Sequence, residues 1–238
     1  MSSLLCAFLR ACVAAVPRAG RGPAAVWASP GPAAVGSVRL GQLAAGVLLI
    51  GTGVGAMLSS GLGVGAWDAF HVGVSGAFGV PLWAAIAGTG AVTLAAGVAL
   101  GGRPRWGTFA PLCVGPVVQA TMGLLPAPGN PLQAWLLLAV GVGVVATGAG
   151  AYLTAGCGVG PFDLVFHGLN RRGLPLTAAR LCVDGAALVV GALLGGPVGA
   201  GTVAATVALG LLIPATVRRF ERYAPAPRLS ARRVLVAA

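Results

Sequence analysis

The chain contains only four acids and two histidines, and two of the acids stand beside the two histidines. Asp68 precedes His71 by three residues and Asp163 precedes His167 by four, spacings that put each pair on one face of a helix. An imidazole titrates near neutral pH and a carboxylate binds protons or cations, so each pair is a candidate for a proton or cation step. The plainer alternative is a helix start. In Gly160-Pro161-Phe162-Asp163 the proline stands where a first helical residue would, and Asp163 falls in the first turn, where a carboxylate favours the positive end of the helix dipole. Trp67 and Phe162, each one residue ahead of an Asp, read as interfacial anchors. Asp184 is different, lying nearly midway along an apolar stretch where an uncompensated acid costs about 2.5–3.5 kcal/mol. Arg180, one turn earlier, is its expected partner, as structural glue or as part of a functional site.

The elements that must hold these residues are apolar. Of 238 residues, 57% are hydrophobic and 8% are charged, against roughly 25% charged in an ordinary soluble domain. A helix needs about 20 mostly apolar residues to cross a hydrocarbon core of roughly 30 Å, and six such stretches are present, at about 40–60, 82–101, 107–125, 132–154, 176–195 and 200–217. The expected fold is all-α: a polytopic helical membrane protein with short re-entrant or interfacial helices at 61–80 and 156–174. Those two segments are too apolar for free loops and too glycine-broken for full crossings. Non-helical backbone at membrane depth survives only when buried in protein or lining a wet cavity, which ranks them first as binding-site candidates.

The net charge of +11 rests on 15 Arg and no Lys. Nucleic acid is not the expected partner, because the arginines, Arg180 apart, avoid the long apolar stretches and cluster between and beyond them. Arg103 and Arg105, Arg171 and Arg172, and the group from Arg218 to Arg233 fall on one side of a six-span topology, while the opposite loops, 61–81, 126–131 and 195–200, contain none. That pattern predicts an inner-membrane protein with both termini in the cytoplasm. Residues 1–38, rich in Arg, Ala and Pro, read as a disordered tail or an over-long gene start rather than a cleaved signal peptide, because Arg10 interrupts the only apolar run. Residues 218–238 read as a basic cytoplasmic tail resting on anionic lipid headgroups. The five cysteines form no C-x-x-C pair and read as packing residues. No metal site, cofactor or catalytic constellation is expected, and the oligomeric state is left open.

Sliding the chain along itself by 95 residues aligns Gly61-Leu-Gly63-Val-Gly65-Ala-Trp-Asp68 with Gly156-Cys-Gly158-Val-Gly160-Pro-Phe-Asp163. Both read G-x-G-V-G-x-aromatic-D. In a chain with four acids an Asp recurring in frame is informative. The register continues at an offset of 94, pairing Gly101-Gly102 with Gly195-Gly196 and Gly107-Thr108 with Gly201-Thr202. Residues 39–125 and 132–217 are thus two membrane units of three spans each. Three is odd, so the second must enter the bilayer from the opposite side, giving inverted repeats. The histidines are offset by 96 and do not superpose. Gly-x-x-x-Gly spacings such as Gly97 to Gly101 and Gly191 to Gly195 are expected to let helices approach closely.

This motif, followed by a short His-containing helix and by G-T after a G-G turn, resembles the YczE/YyaS/YitT group of bacterial membrane proteins over about residues 37–222. Ala66 departs from the pattern, standing where Pro161 stands in the second unit. The resemblance implies a multi-pass membrane protein and little about activity. Inverted repeats with glycine-interrupted half-helices are common in transporters, whose sites lie near the midplane. The expected function is therefore a secondary transporter or permease of a small solute. The alternative is a non-transporting scaffold or regulator of another membrane-associated machine. An enzyme is not expected, since no nucleophile and base occur together.

Overall fold

The computed structural model describes residues 37–223, setting aside the side chains of residues 37, 176, 177 and 223; most of the tails expected at 1–38 and 218–238, namely residues 1–36 and 224–238, lies outside them. Every regular element among the described residues is helical. The order is α1 (Ser37–Ser59), α2 (Ala66–Phe78), α3 (Leu82–Ala99), α4 (Trp106–Phe109), a 3-10 turn (Ala110–Cys113) and α5 (Val114–Leu124). There follow α6 (Pro131–Thr154), α7 (Pro161–Arg171), α8 (Leu176–Leu193) and α9 (Ala200–Tyr223).

Among the described residues five helical stretches are long and apolar enough to cross a membrane: Val38–Ser59, Leu82–Ala99, Trp106–Leu124, Pro131–Thr154 and Ala200–Arg222. The protein is a membrane-embedded helical protein. The α8 helix is not among the five, though it turns Leu181, Val189 and Leu193 outward, as a lipid-facing helix would. The stretch at 107–125, expected as one continuous helix, is interrupted by the 3-10 turn at Ala110–Cys113. Pro111 supplies the reason, since it lacks the N–H that the α-ladder needs. At the other end, α9 carries its helix through Arg218, Arg219 and Arg222, so the first basic cluster of the expected tail is helical.

At the centre, α1 and α6 run antiparallel in close contact. A Cβ on Gly46 would lie 2.8 Å from the Tyr152 nitrogen, one on Gly53 2.7 Å from the Gly141 oxygen, and one on Gly148 2.8 Å from the Gly46 oxygen. Only residues without side chains let two backbones approach so closely. The Gln42 amide crosses the same seam, donating to the Ala151 carbonyl at 3.0 Å and the Thr154 hydroxyl at 2.8 Å. The core gathers around this seam, with Met57, Val118, Leu138 and Ala146 almost fully buried. On one flank α5 packs against α1, and on the other α9 packs against α6.

The short helices are exchanged between the halves: α2 packs on α8 and α7 on α3. Two matched sets of backbone bonds fasten the exchange. The Gly107 N–H donates to the Cys157 carbonyl at 2.9 Å, and the Gly201 N–H to the Leu62 carbonyl at 2.9 Å. The glycines before each short helix adopt the same left-handed conformations, φ 69° at Gly61 and Gly156, 111° at Gly63 and 125° at Gly158. These are values that L side chains avoid.

The Gly-x-x-x-Gly expectation divides. Gly97 and Gly191 do admit close neighbours, with a Cβ there lying 2.6 Å from Leu164 and from Phe70 respectively. Gly101 and Gly195 instead lie beyond the helix ends with φ of 87° and 84°, turning the chain rather than lining an interface.

Candidate functional site

The two motif helices meet. Gly65 precedes α2 and Gly160 precedes α7, each in an extended conformation, so each helix begins abruptly with its aromatic and its acid in the first turn. Asp68 and Asp163 are both first-turn residues, as the helix-start reading expects. Trp67 and Phe162, expected at the membrane interface, instead stack on one another with ring centroids 4.1 Å apart. Aromatic rings in such contact stabilise beyond the area they bury, and here they bind together the N-terminal turns of two helices from different halves. The missed signal was the 95-residue register itself, which pairs these two positions.

The Trp67 indole N–H donates to the Asp184 carboxylate at 2.8 Å, and the Arg180 guanidinium stands 3.6 Å from the same carboxylate. The expected Arg180–Asp184 pair is therefore made, with Trp67 as an unforeseen third member. The Arg180 guanidinium also lies 5.5 Å from the centre of the Phe166 ring, a cation–π distance. Asp163 lies within electrostatic reach of Arg180, His167 and Asp184. Arg180 and Asp184 thus lie together next to the Trp67–Phe162 stack, with Asp163 in reach of both and His167 on the far side of Asp163, towards Arg171. The Tyr152 hydroxyl closes this side, donating to the Gly107 carbonyl at 3.0 Å.

Asp68 and His71 are not part of that cluster. His71 is 5% exposed and neither ring nitrogen has a hydrogen-bond partner, so Asp68 and His71, though on one helix, are not hydrogen-bonded to each other. Its ring lies 6.3 Å from Trp67 and 6.2 Å from Phe70, in aromatic surroundings. Burying an imidazole with no hydrogen bond costs at least about 1–3 kcal/mol. The 95-residue register puts Phe166 at the corresponding place in the other half, also buried at 4%.

The six motif glycines hold the segments in place. Gly63 faces the Thr202 turn, its Cβ position 2.8 Å from the Gly199 nitrogen, and Gly158 faces the Arg105 side chain at 2.8 Å. Gly61 and Gly156 turn the chain, and Gly65 and Gly160 sit beside the Asp68 and Asp163 carboxylates at 3.1 and 3.3 Å. Among the described residues no group of three or more His, Cys, Asp or Glu side chains is placed to hold a metal ion. Such a site can hold a proton or a small charged solute between carboxylates and a guanidinium.

No curated protein and no solved structure matches the chain. One family model does match, over residues 37–218, the region that contains both motifs and every helix through the start of the last basic cluster. The chain therefore belongs to a family of unknown function, DUF6198.

Proposed function

We propose that the protein is a secondary transporter of a small solute, built as two inverted three-span repeats with six crossings in all. The observation that carries this reading is the Trp67–Phe162 stack, where the first turns of two short helices from different halves meet. Half-helices whose N-termini converge from opposite faces form the solute sites of many transporters. The antiparallel α1–α6 seam and the matched Gly107–Cys157 and Gly201–Leu62 bonds support inversion. The α8 helix then serves as the sixth span. The motif likeness to the YczE/YyaS/YitT group fits the same architecture.

Asp163, Asp184 and Arg180 bind the solute or its coupling ion, with His167 beside them; Asp68 and His71 offer a separate proton site in the other half. One route of access favours this assignment. The α3 and α5 helices pack together, but their counterparts α8 and α9 hardly touch, leaving Arg180 61% and Asp184 32% exposed. The arginine-bearing loops face the cytoplasm of a bacterial inner membrane, and Arg218, Arg219 and Arg222 cluster on α9 as contacts for anionic headgroups. No step of this reading requires catalysis or a cofactor.

Uptake in proteoliposomes across a broad solute panel, under proton and ion gradients, tests the proposal. The wild type should take up at least one solute, and Asp163→Asn should abolish that flux while inserting at the wild-type level. Absence of flux for every solute overturns it, and one stoichiometric membrane partner captured with the protein would then favour a scaffold.

A further inference from the structure

We infer that the protein binds a phosphate-bearing anion in a groove on its arginine-rich face, which shares only His167 with the Asp163–Asp184 cluster. The groove holds about 250 Å3 and is lined by Arg103 and Arg105 from the α3–α4 turn and by His167, Asn170 and Arg171 from α7. Two segments remote in sequence therefore bring three arginines, a histidine and an asparagine to the lining of one concavity. None of the four acids of the chain lines it.

Topology signalling accounts for arginines on this side of the membrane, but only for their number in each loop. It does not require that they converge, and Arg172, in the same loop as Arg171, does not line the groove. The other half supplies a comparison. At the 94- and 95-residue offsets, the positions of Arg103, Arg105, His167 and Arg171 are taken by Pro197, Gly199, Val72 and Gly76. The backbone is repeated, and the basic lining belongs to one copy.

Arginine is suited to phosphate because its planar fork donates two parallel hydrogen bonds to two oxygens. Arg171 spends one donor on the Leu100 carbonyl at 3.4 Å, which ties its side chain across to the end of α3. A guanidinium has five N–H donors, so others remain to face the groove. A space of this size takes a phosphate group with part of what it is esterified to, below the range of drug-sized pockets. The phosphate can belong to a soluble monoester or to the headgroup of an anionic lipid.

Binding of inorganic phosphate is measured by calorimetry on purified protein in phosphatidylcholine nanodiscs, and binding of phosphatidylglycerol by retention in native mass spectrometry. Wild type should bind at least one of the two, and Arg103→Gln/Arg171→Gln should weaken that binding by about tenfold or more. Arg218→Gln/Arg219→Gln/Arg222→Gln, which alters the α9 cluster, should leave it unchanged. Phosphate binding alone points to a soluble anion, and lipid retention alone to a headgroup. Equal losses in the two variants, binding of chloride as tight as phosphate, or no binding of either probe overturns the inference. Because Arg171 also contacts the α3 end, the single exposed-site variant Arg103→Gln is measured too; a normal melting temperature with weakened binding separates the groove from a folding defect.

Discussion

The α2–α8 junction and the α7–α3 junction are built on one backbone plan and furnished differently. In both, a short helix follows a G-x-G-V-G turn, a glycine of the facing helix lets it seat, and a backbone bond from the next turn locks it. Around α7 the furnishing is ionic, with Asp163 in reach of both Arg180 and His167. Around α2 it is aromatic and unpaired, with His71 enclosed and no charged side chain acting on Asp68 among the described residues. Gly90 of α3 accommodates Leu112, whereas its counterpart in α8 is Asp184, held by Trp67. Gly115 seats against the Trp83 backbone, whereas its counterpart is Leu209. The pairs that let α3 and α5 close are thus replaced in α8 and α9 by an acid and a bulkier residue, and those helices stand apart. The backbone plan is shared, and the departures from it fall at the proposed site.

The comparison breaks most severely at the seating glycines. Gly191→Ala would place its Cβ 2.6 Å from the Phe70 backbone nitrogen, which cannot step aside, and a loss of about 3 kcal/mol is expected. Gly97→Ala meets the Leu164 side chain at 2.6 Å, which can shift, so a smaller loss of about 1–2 kcal/mol is expected. Unfolding both variants in detergent by chemical denaturation measures the difference; equal losses would mean the two seats are equally rigid. Next in size is Trp67→Phe, which makes α2 resemble α7 at this position. It keeps the stack on Phe162 but removes the bond to Asp184, with about 1.5–3 kcal/mol expected, as for hydrogen bonds to charged groups. A loss near zero would show that Asp184 finds another donor.

His71→Phe sharpens the comparison from the other side, by installing the residue type of Phe166. Removing a buried, unpartnered imidazole should raise stability by about 1 kcal/mol, read as a higher melting temperature, while solute flux driven by a proton gradient falls. A lowered melting temperature would mean that His71 is structural. The smallest effect belongs to Arg180→Gln. With Arg180 61% exposed, the ion pair is open to screening, and a loss of no more than about 1 kcal/mol is expected. Its effect on solute uptake should exceed its effect on melting.

Much of this was legible from residues that act locally. Apolar runs placed the helices within a few residues, because a span is a local matter of length and hydropathy. The recurrence of glycine and Asp at 95 residues located both short helices, and Pro161 with Asp163 marked one of their starts. Arg180 four residues before Asp184 was readable because i and i+4 side chains on a helix are neighbours by geometry. The 3-10 break at Pro111 was missed because apolar composition continues across it. The left-handed role of Gly101 and Gly195 was missed because a spacing of four serves packing and termination alike.

What the chain alone determined is therefore a helical membrane protein with a recurring sequence motif and arginines gathered between and beyond most of its apolar runs. The tertiary structure decided which residues meet: Trp67 with Phe162, the Trp67 indole with Asp184, and Arg103, Arg105 and Arg171 in one groove. It also decided that His71 is enclosed without a partner and that α8 and α9 stand apart. These contacts join residues some 65 to 120 positions apart, and no local propensity encodes them. They arise when two glycine-lined helices close against each other and carry their short helices across to the opposite half.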